Sequence, residues 1–274
     1  MGSPSSDEAQ DGVPLPGGNL GGAVRIGDTV RRRTGPWTPA VHALLRHLES
    51  AGFPESPRVL GIDERGREIL SFIEGAGAEP QPWPAWTRSE DVLVQMGDLL
   101  RRLHEAVRAY RPPAGAIWRF IGRAPGAVEI VCHNDVGPYN VVWDAGRIVG
   151  LIDWDVAGPG RPLDDLAFAA WQWIPLHHPS VLDPGWERPP DIGRRLGLLC
   201  DAYGFETGER STLLEALPGR MRASLERMSG AAEAGEAAFV RVREAGYLDD
   251  IARSIAHVER SVLPQLVSEL ERPG

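Results

Sequence analysis

The sequence predicts an α+β protein in two lobes, a small β-rich one followed by a mainly helical one. Three observations carry this. Short β-branched and apolar runs enclose a single amphipathic helix before residue 74. A stretch rich in Pro and Gly follows, from Ala76 to Trp86. Beyond it, apolar residues recur at helical spacing almost to the C-terminus, interrupted by one hairpin pattern at residues 140–153. The expected division is a flexible tail over 1–15, an N-lobe over 16–74 and a C-lobe over 75–274.

In chain order, residues 1–15 are polar and rich in Pro, Gly and Ser, the composition of a tail. Gly17-Gly-Asn-Leu-Gly-Gly22 leads into the run Ala23 to Val30. Glycine pairs between short strands either let backbone N–H groups approach a phosphate or make a plain hairpin. Thr38-Pro39 opens a helix, with Thr as N-cap and Pro at the first helical position. Val41, Leu44, Leu45 and Leu48 share one face of it, and Gly52 ends it. Arg58 to Ile62 and Glu68 to Ile73 read as strands around the turn Asp63-Glu-Arg-Gly66. After the linker, Thr87-Arg-Ser-Glu90 has the form of a capping box, and Leu93, Met96, Leu100, Leu103 and Val107 line one face of the helix it begins. Asp164 and Asp165 suit a helix N-terminus. Further helices are expected over 192–203, 211–228 and from Ala237 towards Leu270, where Pro264 should kink or end the last.

Composition excludes several classes of function. A formal charge of −9 argues against a nucleic-acid partner, because phosphate backbones are bound by surplus Lys and Arg. The first 73 residues carry 8 Arg and 9 acids, the remainder 21 and 29, so acidity concentrates where a substrate would sit. That would favour a cationic acceptor, or simply keep the surface soluble. All 29 basic residues are arginines, since no lysine occurs. No apolar run is long enough to cross a bilayer, and the start lacks the basic and apolar regions of a secretory signal. The expectation is a cytoplasmic protein without a membrane partner. Cys132 and Cys200 cannot make a disulfide framework. Oligomeric state has no signature here.

The chemistry concentrates between Val131 and Trp154. Asn140 to Asp144, the pair Ala145-Gly146, and Arg147 to Asp153 form a hairpin signal. With Asp144 opposite Arg147, Asn140 falls opposite Leu151, and Asp153 lies beyond it at the open end. Asp135 precedes this ladder, and Gly137-Pro138 can turn its carboxylate towards the same point. Two carboxylates and an amide oxygen make a hard-oxygen site suited to Mg²⁺, with positions left for phosphate oxygens. A carboxylate that the metal does not need can serve as a base. His133-Asn-Asp135, then Asn140, then Asp153 has the spacing of kinase sites. That spelling, with Ala157-Gly-Pro-Gly160 and Leu163-Asp-Asp165-Leu-Ala behind it, closely resembles the aminoglycoside phosphotransferase and choline kinase superfamily of small-molecule kinases.

The resemblance implies a protein-kinase-like fold, with a nucleotide-binding N-lobe over 16–74 and a catalytic, substrate-binding C-lobe over 75–274. It implies ATP and Mg²⁺, with Asp135 as catalytic base and Asn140 and Asp153 on the metal. Phe72, Ile73 and Glu74 would form the hinge whose backbone meets the adenine. Arg31 and Arg32 stand where the family presents a lysine to the phosphates, and Val41-His42 where its partner glutamate is expected. Asp165 would tie the catalytic loop through backbone hydrogen bonds. His133 is expected to brace that loop, and His104 to pack or cap. Trp171, Trp173, His177, His178 and Trp186 lie where the family builds its acceptor pocket, although core packing is the plainer role for the tryptophans. Two functions fit. One is ATP-dependent transfer to a hydroxyl of a small molecule, such as an aminoglycoside, another antibiotic or an amino alcohol, with antibiotic resistance as one setting. The other is a weak or inactive relative that binds ligand and regulates, motivated by the missing Lys–Glu pair.

Overall fold

The computed structural model describes residues 12–15, 22–78, 82–120, 129–188, 190–206 and 209–270. Most of the expected tail and glycine-rich run lies outside them. Five strands, β1 (Val13–Pro14), β2 (Val24–Ile26), β3 (Thr29–Arg33), β4 (Val59–Ile62) and β5 (Arg67–Ser71), form an antiparallel sheet in the order β1-β2-β3-β5-β4. Between β3 and β4 runs α1 (Thr38–Ser50), which buries Val41, Leu44, Leu45 and Leu48 as its periodicity requires. It starts one residue early, with Trp37 at the N-cap. Thr38 does not cap it, because its hydroxyl accepts the Gly35 N–H at 2.9 Å in the turn before.

The second half is helical, and the whole is α+β as the periodicities predict. In α2 (Glu90–Val107), Leu93, Met96, Leu100 and Leu103 are fully buried. Ser89 rather than Thr87 is its N-cap, its Oγ accepting the Val92 N–H at 3.2 Å. Thr87 is held in a preceding 3₁₀ turn, where its hydroxyl donates to the Pro84 carbonyl at 2.8 Å. Next come β6 (Ile130–Cys132), which pairs with β9 (Gly158–Gly160), and between them the hairpin of β7 (Val141–Asp144) and β8 (Arg147–Leu151).

The remaining helices are α3 (Pro162–Trp173), α4 (Ile192–Tyr203), α5 (Arg210–Glu233), α6 (Ala237–Glu244), α7 (Tyr247–His257) and α8 (Leu263–Leu270). What reads as one long C-terminal helix is therefore three. Gly246, at φ +79°, separates α6 from α7, and a π-type turn over Val258–Val262 precedes α8. Pro264 follows that π-type turn directly, as the second residue of α8, and the helical backbone continues through it. The main core joins α2, α3, α4 and α5 with the hairpin, and Trp154, Trp171 and Trp173 lie inside it. Among the described residues, no helix is long and apolar enough to cross a membrane.

Candidate active site

Ala145 and Gly146 both have positive φ, 45° and 84°, which is the two-residue turn that matches strand twist. Asp144 faces Arg147 as expected, but the register slips at a bulge: Val142 pairs with Gly150 and Val141 with Leu151. Val149 is the extra residue. Asn140 therefore meets Ile152 and not Leu151, with the Ile152 N–H donating to its carbonyl at 2.9 Å. This correction moves Asn140 one residue nearer to Asp153. Asp153 itself is left-handed, at φ 62° and ψ 63°, a conformation that Asp tolerates better than most residues.

The loop carrying Asp135 is fixed residue by residue. Buried Asp165 accepts the His133 N–H at 2.9 Å and the Asn134 N–H at 2.7 Å. His104 Nε2 lies 3.3 Å from the same carboxylate and its Nδ1 2.9 Å from the Tyr203 hydroxyl, so His104 supports the loop at one remove. Burial works against the charge on Asp165, yet the bonds from His104 and the backbone outweigh it and hold its pKa below the usual value. From α5, Arg220 donates to the Asn134 carbonyl at 2.7 Å, and Trp173 Nε1 donates to the Val136 carbonyl at 2.7 Å. His133 Nε2 donates to the Ile152 carbonyl at 3.0 Å while its Nδ1 accepts the Asp135 N–H at 3.3 Å. This pattern needs a neutral imidazole, and burial lowers its pKa accordingly.

The Asp135 carboxylate accepts from the Tyr139 hydroxyl at 2.8 Å and from Asn140 Nδ2 at 2.9 Å. The same Nδ2 donates to the Asp135 carbonyl at 2.8 Å. Two acceptors thus fix the orientation of the amide. Burial, then the charge of Asp153, raise the Asp135 pKa above the ordinary range, against the Tyr139 bond.

Neighbouring residues of a strand face opposite sides, and this separates the two candidate arginines. Arg31 points away from the site, donating to Thr29 Oγ1 at 2.6 Å and lying 3.7 Å from Asp63. Arg32 points in: its Nη2 lies 2.9 Å from both Asp153 Oδ1 and Asp155 Oδ2, and its Nε 3.6 Å from Glu68. Glu68, opposite Arg32 across the β3–β5 ladder, is 3% exposed and takes His42 Nε2 of α1 at 2.8 Å. The acid beside Arg32 thus comes from β5, and α1 supplies His42 where a glutamate was expected. Sequence reasoning missed Glu68, although an acid alternating with Leu70 on the inward face of a strand is a readable signal. Burial by itself would lower the Arg32 pKa; the three carboxylates outweigh it and raise it. Asp155 is pushed up to about 6 by burial, with Arg32 opposing.

Of these groups Arg32, Tyr139, Asn140, Asp153 and Asp155 line a cavity of about 400 Å³, within the range of small-molecule sites, while Asp135 reaches it only through its bonds to Tyr139 and Asn140. Its other walls include Val30, Leu70, Phe72, Ile73, Val142 and Ile152. Glu74 is not among its lining residues: its carboxylate pairs with Arg25, whose guanidinium lies 3.7 Å from the Phe72 ring centre. Trp171 and Trp173 are core residues, and Trp186 lies under the Arg195 guanidinium at 4.8 Å. His177 packs on Trp171, while His178 bonds Ser180 and Ser254. Among the described residues, no cluster of three or more His, Cys, Asp and Glu could hold a metal ion. Asn140 Oδ1 and the Asp153 carboxylate are hard donors that fit Mg²⁺ when phosphate oxygens and water complete its shell.

Residues 115–198 match the phosphotransferase enzyme family. The chain is 41% identical over 212 residues to the trifolitoxin immunity protein of Rhizobium leguminosarum bv. trifolii, spanning 76% of this chain and 79% of that protein. Its structure is similar to that of an amicoumacin kinase solved with AMP-PNP, Ca²⁺ and Ami, with a TM-score of 0.63 and 11% identity over 91% of this chain and 88% of that one. A choline/ethanolamine kinase family protein from Mesorhizobium loti gives a TM-score of 0.53 and 18% identity over 90% and 92% of the two chains.

Proposed function

Since the chain belongs to the aminoglycoside phosphotransferase and choline kinase superfamily, we propose that it moves the γ-phosphoryl group of ATP to a hydroxyl of a small molecule. The observation that carries this is the convergence of Arg32, Asn140 and Asp153 on one cavity, with the Asp135 carboxylate hydrogen-bonded to the lining residues Asn140 and Tyr139. On this reading residues 16–74 carry the nucleotide and residues 75–274 the catalytic loop and the acceptor. The apolar end of the cavity takes the adenine beside the Phe72–Glu74 backbone, and Arg32, held by Glu68, faces the phosphates.

Asp135 accepts the proton of the attacking hydroxyl as transfer proceeds in line. Tyr139 and Asn140 aim its carboxylate, and burial raises its basicity. Mg²⁺, held through Asn140 Oδ1 and Asp153, would supply charge neutralisation on the phosphate oxygens.

Transfer from Mg·ATP, screened over aminoglycosides, macrolides, choline-like alcohols and amino acids, tests the proposal. Asp135→Ala is expected to lose about 10³-fold in kcat with nucleotide affinity nearly unchanged. Transfer surviving that change would overturn the assignment. Similarity to a protein named for immunity also suits a second reading, capture of a ligand without transfer. Metal-dependent binding of AMP-PNP in calorimetry separates the two, because capture alone needs no metal.

A further inference from the structure

The arginines that line the nucleotide cavity beside its acids are already paired. Arg32 is held by Glu68, Asp153 and Asp155, and Arg119, which reaches the same cavity from a distant segment, has its Nη1 3.6 Å from Asp155 Oδ2 and its Nη2 2.9 Å from Glu236. Arg227 of α5 is different. Among the described residues it is the only half-buried arginine with neither an ion pair nor a side-chain hydrogen bond. Its guanidinium lies 5.2 Å from the Phe120 ring centre, and its nitrogens stay open to solvent.

The helix places this cation on the acceptor's side of the base. Arg220, Ser224 and Arg227 follow one another at spacings of four and three, so they share one face of α5. On that face Arg220 already reaches the carbonyl of Asn134, the residue before Asp135, at 2.7 Å. The charges of Asp135 and Tyr139 act on Arg227, yet it makes no ion pair with Asp135 and is not among the residues that line the nucleotide cavity. Tyr247, at the start of α7, feels the same carboxylate, and Asp250 of that helix is taken by Arg253. A partly desolvated guanidinium without a counter-charge is costly, and a carboxylate matches both its charge and its planar fork. We infer that Arg227 binds a carboxylate of the acceptor, so that the site selects hydroxy acids rather than the cationic alcohols that the acidic composition suggests. This rests on the phosphotransferase reading of the site.

Transfer from Mg·ATP, read as ADP release, to glycerate, homoserine and gluconate, each beside its amide, tests it. One or more of the acids should be used with a kcat/KM at least about 10-fold above that of its amide. In Arg227→Gln this preference should vanish, through a rise of about 10- to 100-fold in the KM of the acid. Arg227→Lys keeps the charge without the fork; it should retain part of the preference, and it carries the test should the Gln variant fail to fold. Equal loss on acid and amide would make Arg227 only a packing partner of Phe120 and overturn the inference. Preference for the amides, or no use of any acid by a protein that binds Mg·AMP-PNP in calorimetry, would overturn it while leaving the nucleotide reading in place. A protein that neither binds Mg·AMP-PNP nor transfers would refute that reading, and this inference with it.

Discussion

Asp135 shows how one side chain is tuned by its neighbours. Its pKa is raised by burial and by Asp153, and the Tyr139 hydroxyl, which donates to it, lowers it. A group with a raised pKa stays protonated to higher pH, so the acid limb of kcat/KM should lie above the ordinary aspartate range. Tyr139→Phe removes the opposing bond and should move that limb further up; a pH–rate profile of both forms reads the shift. Glu68 is the second residue with a measurable consequence. In Glu68→Gln one of the charges that orient Arg32 is gone, and the KM for ATP should rise about 3- to 10-fold with kcat less affected. The grouping of Asp135, Asn140 and Asp153 was legible because the loop and the hairpin after it lie within 20 residues of sequence. Glu68 was not, because its partnership with Arg32 depends on β5 inserting beside β3, across a helix and another strand.

Elements place these residues through a few close contacts. The hairpin would set Asn140 one residue away from its observed partner were it not for the Val149 bulge, a feature of strand curvature that no residue in the sequence spells. Asp165, at the start of α3, receives two buried backbone N–H groups. In Asp165→Ala both lose their acceptor, and a loss of about 2–4 kcal/mol is expected in urea unfolding, with activity falling alongside. Gly97 in α2 sits where a Cβ would come within 2.6 Å of the Leu199 carbonyl and 2.8 Å of the Ala202 Cβ in α4. Gly97→Leu should force the two helices apart and lower stability by about 2–4 kcal/mol, seen as a drop in Tm. The periodicity of both helices was plain from sequence. Which glycine they share as their point of closest approach was not, since it depends on their crossing.

For the whole molecule, pH acts through groups that the fold keeps neutral. His177, partly buried against Trp171, has its pKa pushed down to about 4 by burial, against an ordinary value of 6.5. The unfolded chain therefore takes up the proton first as pH falls. The contribution is complete above about pH 6.5 and is lost towards pH 4, amounting to about 2 kcal/mol after allowance for partial exposure. His177→Leu should flatten that part of the stability curve relative to the unmodified protein, as read from urea midpoints at pH 7 and about pH 4.5. By itself the sequence determined the α+β order, the hairpin and the grouping of Asp135, Asn140 and Asp153 around it, and the absence of lysine, because periodicity, short-range spacing and composition are properties of the chain alone. Only the tertiary structure decided that Arg32 and not Arg31 faces the site, that Glu68 and His42 hold it there, and that Arg119 joins it. Each of these depends on which strand lies beside which and on which side of a sheet a residue points, and burial turns those choices into charge pairs between residues far apart in sequence.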